Sequence, residues 1–118
     1  MASDDEARGQ RARNQGTLIL RSEREGDTHV VELLGELDIA GAPRLEQEFH
    51  DVEAGDAGSI VVDLRGLEFI DSTGIRLLLM AADRCASDQR MTILRGPKQI
   101  HRVFEITDLV NRLPFADA

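Results

Sequence analysis

Residues 59–86 decide the fold, and they read SIVVDLRGLEFIDSTGIRLLLMAADRCA. The β-branched run at residues 59–64 predicts a strand that is buried on both faces. Arg65-Gly66 predicts a turn after that strand, and the apolar spacing of residues 75–86 predicts a helix. A buried strand that leads into a helix is the building block of a parallel sheet, so this stretch predicts the centre of an α/β domain.

The segments on either side extend the same pattern. Residues 17–21 and 29–36 predict two strands joined by a polar turn at residues 23–28, which favours an antiparallel hairpin at one edge. A helix then begins at Gly41, with a proline in its first turn. Residues 91–94 predict a further strand. The buried helical faces are predicted at Leu45, Phe49 and Val52 for the earlier helix, and at Ile100, Val103, Phe104 and Thr107 for the last helix.

The chain therefore predicts one α/β domain with a mixed sheet of four to five strands, an antiparallel N-terminal edge and helices packed against the sheet. Its 118 residues leave room for a single core. We expect the domain to span residues 17–118. Residues 1–16 are polar and lack apolar periodicity, so they predict a flexible leader.

The helix predicted at residues 75–86 is apolar on more than one side. It is either wedged between the sheet and a neighbouring helix, or it carries a partner-docking face near its start. The predicted core stripe comprises Ile75, Leu78, Leu79, Ala82, Cys85 and Ala86, whereas Leu77, Met80 and Ala81 lie outside it.

Composition argues against several classes of function. The formal net charge of −8, with four Phe and neither Trp nor Tyr, disfavours nucleic acid and anionic membranes as partners. The longest apolar run, residues 77–82, is far shorter than the about 20 residues of a membrane span. The start of the chain lacks the pattern of a secretory signal, and a single cysteine excludes an internal disulfide. We therefore expect a cytoplasmic protein.

No pattern in the chain predicts enzyme chemistry. The residues around Ser72 lack the G-x-S-x-G pattern of a serine hydrolase, and no phosphate-binding glycine loop is present. His29, His50 and His101 fall outside metal-binding spacings. We expect no cofactor, no metal ion and an inert core role for Cys85. An enzyme for a small substrate would need an acid, a base and a nucleophile that the sequence does not supply.

Ser72 admits two interpretations. By position alone it is a helix N-cap, since serine is common there, and the preceding Asp71 is also a good cap for the same helix. Alternatively it is a phosphoacceptor, because the free N–H groups and the macrodipole at a helix N-terminus stabilise a phosphate. A phosphate of about −2 charge would lie beside Asp71 and near Glu68, where like charges oppose burial by a partner.

Three segments carry a family resemblance. They are residues 35–40 (GELDIA), 42–45 (APRL) and 62–75 (VDLRGLEFIDSTGI), of which Asp-Ser-Thr-Gly is the most specific part. On these motifs the sequence resembles the STAS-domain anti-sigma-factor antagonists between Thr17 and Phe115. The resemblance implies the STAS fold and a regulator without catalytic activity, whose unphosphorylated form binds an anti-sigma factor and frees the sigma factor.

The same resemblance implies the partners and the site. The anti-sigma factor would be an ATP-dependent serine kinase that phosphorylates Ser72 and so switches binding off, and a metal-dependent serine phosphatase would restore the unmodified form. The family motif assigns the switch and partner-binding surface to Asp38, Asp71, Thr73 and Gly74. By position alone, Asp38 could equally be a solvated loop carboxylate.

Two residues depart from the family pattern. Gly41 stands where many relatives have a hydroxyl cap, and Asp108 stands where many have glycine after Thr107. Glycine still caps a helix, and aspartate tolerates left-handed backbone better than most residues, so we expect the fold to be kept.

A second STAS function competes with the first. In this hypothesis the chain regulates a membrane transporter by binding its cytoplasmic ATPase, as the lipid-transport members of the superfamily do. The free-standing chain and the intact Asp-Ser-Thr-Gly segment favour the sigma-factor pathway.

Overall fold

The computed structural model describes residues 17–116, so the leader predicted at residues 1–16 lies outside the described residues. Within them, strands and helices alternate as the sequence predicts, and none of the helices is long and apolar enough to cross a membrane. In chain order the elements are β1 (Leu18–Glu25), β2 (Thr28–Leu37), α1 (Ala42–Ala54), β3 (Ser59–Ile70), α2 (Ser72–Arg84), β4 (Met91–Leu94), α3 (Lys98–Ile106) and a short 3₁₀ helix (Val110–Arg112).

The strands form one mixed sheet in the order β1-β2-β3-β4. β1 pairs antiparallel with β2, and β3 pairs parallel with both β2 and β4. The predicted mixed sheet with an antiparallel N-terminal edge is confirmed, with four strands among the described residues. Phe115 adds one parallel bridge to Ile93 on β4. β3 is central, as predicted, and it carries the candidate site at its carboxyl end.

The hairpin between β1 and β2 is tighter than the sequence predicts. The strands extend until only Gly26 and Asp27 separate them, so the turn has two residues rather than residues 23–28. Gly26 has a φ of +63°, which glycine adopts without a steric cost. The polar side chains at residues 21–25 obscured the strand, because β1 is an edge strand and these side chains are exposed.

β3 corrects a second prediction, because Arg65-Gly66 does not end the strand. At this point β3 advances from Asp63 to Gly66 while β2 advances from Glu32 to Leu34, so β3 holds one extra residue. Such a β-bulge bends a strand without ending it. The strand therefore continues to Ile70 and delivers the next residues to the edge of the sheet.

The buried face of α1 is the predicted one, but that of α2 is displaced. α1 buries Leu45, Phe49 and Val52. In α2, Leu77 and Ala81 are core residues, contrary to the prediction, and Ala86 is exposed beyond the end of the helix. The stripe is displaced because α2 packs against both the sheet and α1. The buried residues of α2 are Gly74, Leu77, Leu78, Ala81 and Ala82, whereas Ile75 and Leu79 are half-buried and Met80 is exposed.

α3 buries the predicted Ile100 and Phe104, but Thr107 is exposed and was assigned wrongly to this face. The prediction missed His101, which is buried, with its ring centroid 4.8 Å from that of Phe115 and 6.3 Å from that of Phe104. Cys85 is buried just after α2, as predicted. Burial raises the pKa of its thiol, which keeps the thiol protonated and unreactive.

The two departures from the family pattern are accommodated. Gly41 is buried at the start of α1, where a Cβ would lie 2.9 Å from the Cβ of Leu18, so the site has no room for a side chain. Asp108 has a φ of +62°, which is the left-handed conformation expected of a residue that replaces glycine.

Candidate switch site

Two loops meet at the carboxyl ends of β2 and β3. The first is residues 38–41, which follow Leu37, and the second is Asp71 with the start of α2. Because β2 and β3 are parallel neighbours, their carboxyl ends lie at the same edge of the sheet. The Asp71 N–H donates to the Leu37 carbonyl at 3.1 Å, which joins the second loop to the end of β2.

The Asp71 carboxylate organises both loops. Oδ1 accepts a hydrogen bond from the Gly74 N–H at 3.1 Å, so Asp71 is the N-cap of α2. Oδ2 accepts from the Ile39 N–H at 3.2 Å and ties down the first loop. Both carboxylate oxygens are therefore engaged. Of the two predicted caps, Asp71 fills the role, and the interpretation of Ser72 as the N-cap is wrong.

Ser72 is the first residue inside α2, and it is exposed. None of the hydrogen bonds within residues 17–116 involves its hydroxyl. Asp71 already satisfies the backbone group that a serine cap would take. Among the described residues, the hydroxyl thus lies at the helix start with no structural role of its own.

Gly74 allows α2 to begin directly against the sheet. It is buried, and a Cβ at this position would lie 2.6 Å from Cγ of Leu37 and 3.1 Å from Cγ1 of Ile70. Any larger residue would push the helix start outward and move Ser72 with it. Thr73 is half-buried beside it. The Asp-Ser-Thr-Gly segment thus combines a cap, an exposed hydroxyl and a close packing contact.

Asp38 is fixed within its loop. Its Oδ1 accepts hydrogen bonds from the Ala40 N–H at 3.1 Å and the Gly41 N–H at 3.4 Å, which forms an Asx turn. The side chain is half-buried, so Asp38 is not a freely solvated carboxylate. Upstream, Gly35 has a φ of +84°, and a Cβ there would collide with the Thr17 carbonyl. This requirement explains the glycine in the GELDIA segment.

Three further exposed residues, on the two loops and the elements that flank them, were missed from the sequence. Ile39 is 71% exposed in the first loop, and Phe69 is 46% exposed at the end of β3. Arg76 is exposed one turn further along α2. Strand alternation could have indicated Phe69, since its neighbour Ile70 is buried. Helical spacing could have indicated Arg76, which lies four residues after Ser72.

The site is an exposed surface rather than a cleft. Two clefts among the described residues lie elsewhere. One, of about 400 Å³, lies at the other end of α2 and is lined by Cys85, Met91 and Leu113 among others, and the other, of about 550 Å³, is lined by residues of α3. A small substrate normally requires a concave pocket. The surface around Ser72 is suited to a macromolecular partner instead.

The fold and the site define a small mixed α/β domain in which an exposed serine opens a helix at the edge of the sheet. A family model described as "Mlab, STAS domain" matches residues 20–114. The chain belongs to the STAS domain family, which confirms the resemblance seen in its motifs.

Curated relatives and solved structures are similar over most of the chain. The anti-sigma-B factor antagonist of Staphylococcus aureus is 34% identical over 82 residues, which cover 67% of this chain and 74% of that protein. An anti-sigma factor antagonist from Mycobacterium paratuberculosis superposes with a TM-score of 0.78 at 24% identity, covering 86% of this chain and 87% of the other. SpoIIAA of Bacillus has been solved in two forms, each 23% identical to this chain. The unphosphorylated form superposes with a TM-score of 0.69, covering 85% of this chain and 88% of SpoIIAA. The phosphorylated form superposes with a TM-score of 0.65, covering 85% of this chain and 91% of SpoIIAA.

Proposed function

We propose that this chain is an anti-sigma-factor antagonist that is switched by phosphorylation of Ser72. In the unphosphorylated form it binds an anti-sigma factor, which then releases its sigma factor. The exposed Ser72 hydroxyl, which Asp71 leaves without a capping role, is the observation that carries this proposal. The name of the Staphylococcus relative supports it.

The proposed kinase is the anti-sigma factor itself. In the transfer, Oγ of Ser72 attacks the γ-phosphorus of ATP bound to the kinase, the bond to the leaving ADP oxygen breaks, and the hydroxyl proton passes to a base on the kinase. A metal-dependent serine phosphatase would hydrolyse the phosphoserine and restore the binding form. The chain supplies only the acceptor, so we propose a regulator rather than an enzyme. Such a regulator would act in the cytoplasm, where sigma factors bind RNA polymerase.

The surroundings of Ser72 suit a partner that is released by phosphorylation. Ile39 and Phe69 offer exposed apolar surface, and burying it in a complex is favourable. Asp38, Asp71 and the exposed Glu68 supply negative charge nearby. A phosphate dianion added among these carboxylates would have to be desolvated on binding, at a cost of several kcal/mol per ion. We therefore assign partner contacts to the surface formed by Asp38, Asp71, Thr73 and the Ser72 hydroxyl, with Gly74 positioning them from below.

Phosphorylation in the presence of the cognate anti-sigma kinase and ATP tests the acceptor. Intact-protein mass spectrometry should show the mass of one phosphoryl group on the natural sequence and none on Ser72→Ala. Ser22→Ala is the matched control, because Ser22 is also exposed but lies on β1. Equal phosphorylation of Ser72→Ala and the natural sequence would exclude Ser72 as the acceptor.

Calorimetry with the anti-sigma factor tests the switch. Ser72→Asp should weaken the complex about 100-fold, which corresponds to about 3 kcal/mol, while Ser22→Asp should leave the affinity unchanged. Ser72→Ala should change the free energy of unfolding by less than about 0.5 kcal/mol, because its hydroxyl has no structural role. Unchanged affinity of Ser72→Asp would contradict the charge argument.

The transporter hypothesis predicts a different partner for the same fold. The family match covers the domain and does not distinguish the two partners. Capture of a transporter ATPase on immobilised protein, with no captured serine kinase, would favour a transporter subunit. Capture of a serine kinase that is lost with Ser72→Asp would favour the sigma-factor pathway.

A further inference from the structure

One cation shares the outer surface of α2 with Ser72. Arg76 lies four residues after Ser72 in the same regular helix, and both side chains are exposed. Residues with this spacing are neighbours on a helix, with Cβ atoms about 5–6 Å apart. Because Cα–Cβ bonds in a helix tilt toward its N-terminus, a long side chain at position 76 extends back toward position 72.

Arg76 differs from the arginines that stabilise the fold. Arg24, Arg65 and Arg84 form ion pairs with Asp56, Asp63 and Glu53 respectively. Arg76 forms no ion pair within residues 17–116. It is also the only basic residue of α2 before Arg84. Within the part of the chain that the structure describes, its guanidinium is thus available to an added anion.

We propose that Arg76 is the intramolecular counter-ion of phosphorylated Ser72. This inference rests on the proposed phosphorylation of Ser72, and it adds a residue that binds the phosphate group of the phosphoserine. A guanidinium presents a planar fork of N–H donors that matches phosphate oxygens, and charge-assisted bonds of this kind are stronger than neutral ones. The phosphate would accept these bonds from Arg76 while lying near the positive end of the helix dipole.

The pairing has two measurable consequences. A nearby positive charge favours the dianion, so the second pKa of the phosphoserine is lowered relative to a chain without Arg76. The new pair also links two successive turns of α2, so phosphorylation stabilises the helix start while it removes the partner. Phosphorylation therefore favours a stable, ordered off state rather than a partly unfolded one.

Phosphorus NMR on protein with genetically encoded phosphoserine at position 72 tests this pairing without the kinase. In Arg76→Gln, the second pKa of the phosphoserine should rise by about 0.5 unit relative to the natural sequence. Arg112→Gln is the matched control, since it removes the same charge from an exposed residue near the other end of α2 and should leave that pKa unchanged. Arg76→Lys should give an intermediate value, because it keeps the charge and loses the fork.

Thermal unfolding provides a second readout. Phosphoserine at position 72 should raise the Tm of the natural sequence by about 2–4 °C more than it raises that of Arg76→Gln. Identical phosphoserine pKa values in the natural sequence, Arg76→Gln and Arg112→Gln would overturn the pairing. A kinase that leaves Ser72 unmodified, combined with the expected NMR shift, would overturn the proposed function and leave the pairing intact.

Discussion

The two ends of α2 use polar side chains in opposite ways. At its carboxyl end, Arg84 forms two hydrogen bonds with Glu53 of α1, at 2.7 Å and 3.0 Å. Nearby, Arg90 donates to three backbone carbonyls, at 3.0–3.1 Å. At the amino end, the Asp71 carboxylate makes the connections, while Ser72 and Arg76 face outward. The first end holds the fold together, whereas the second leaves Ser72 and Arg76 exposed.

The difference follows from which backbone groups need partners. The last carbonyls of a helix have no partner within the helix, and Arg90 satisfies those of Glu53, Gly55 and Ala57 around the end of α1. Hydrogen bonding to the Glu53 carboxylate raises the pKa of Arg84, so the ion pair that joins α1 and α2 stays charged. At the start of α2, Asp71 caps the helix by accepting a hydrogen bond from the Gly74 N–H. Because Asp71 is the cap, the Ser72 hydroxyl has no capping role.

The largest expected effect comes from removing Arg90. Arg90→Ala should lower the free energy of unfolding by about 2–4 kcal/mol, since it leaves three carbonyls around the end of α1 without their donor. Urea denaturation measures the loss. The matched control is Arg95→Ala, an exposed arginine with no hydrogen bond within residues 17–116, which should change stability by less than about 0.5 kcal/mol.

The same variant sharpens the contrast between the two ends. Below its melting transition, Arg90→Ala should bind the anti-sigma factor with unchanged affinity, because Ser72 lies at the far end of α2. A loss of affinity in folded Arg90→Ala protein would show that the two ends of α2 are coupled. It would contradict the view that they have separate roles.

A smaller effect is expected at Asp71. Asp71→Ala should cost about 1–2 kcal/mol of stability, because it removes the N-cap of α2 and the bond to the first loop. Asp71→Asn should cost less, since the amide oxygen still caps the helix and only one of the two acceptor oxygens is lost. Thermal unfolding compares the two variants. Equal losses would mean that the oxygen retained in asparagine contributes nothing, which would contradict the capping role.

The smallest effect concerns Asp63, which lies within β3 and away from both ends of α2. Hydrogen bonds from Arg65 hold the pKa of this buried carboxyl below its ordinary value. Stability from the pair is therefore fully present above the ordinary pKa of about 4 and is lost as the pH falls through the lower pKa of the folded state.

The free energy of unfolding, measured at a series of acidic pH values, tests the predicted loss of stability as the pH falls. Asp63→Asn should be less stable than the natural sequence by about 1 kcal/mol at neutral pH, and the difference should shrink in acid. The control is Asp56→Asn, which removes a fully exposed carboxylate that is paired with Arg24, and its effect should be smaller. A constant difference at all pH values would exclude the Asp63 carboxylate as the source.

The sequence predicted which segments are strands and which are helices. It did not predict where each element ends or which side of α2 is buried. The strand at residues 59–64 and the stripe on α1 followed directly from periodicity. Arg65-Gly66 was predicted to end β3, because a glycine marks a turn and a bulge alike and only the pairing with β2 distinguishes them. The buried stripe of α2 was displaced because its neighbours on two sides set the orientation, and these neighbours are distant in sequence.

By itself the sequence determined the α/β alternation, the mixed sheet and the Asp-Ser-Thr-Gly segment, because local periodicity and turn chemistry depend on near neighbours. It left open which of Asp71 and Ser72 caps α2. Only the tertiary structure decided this, since the second oxygen of Asp71 bonds to Ile39, a residue 32 positions away. The same holds for the place of Ile39 at the start of α2, because the parallel pairing of β2 and β3 brings together two loops that are far apart in the chain.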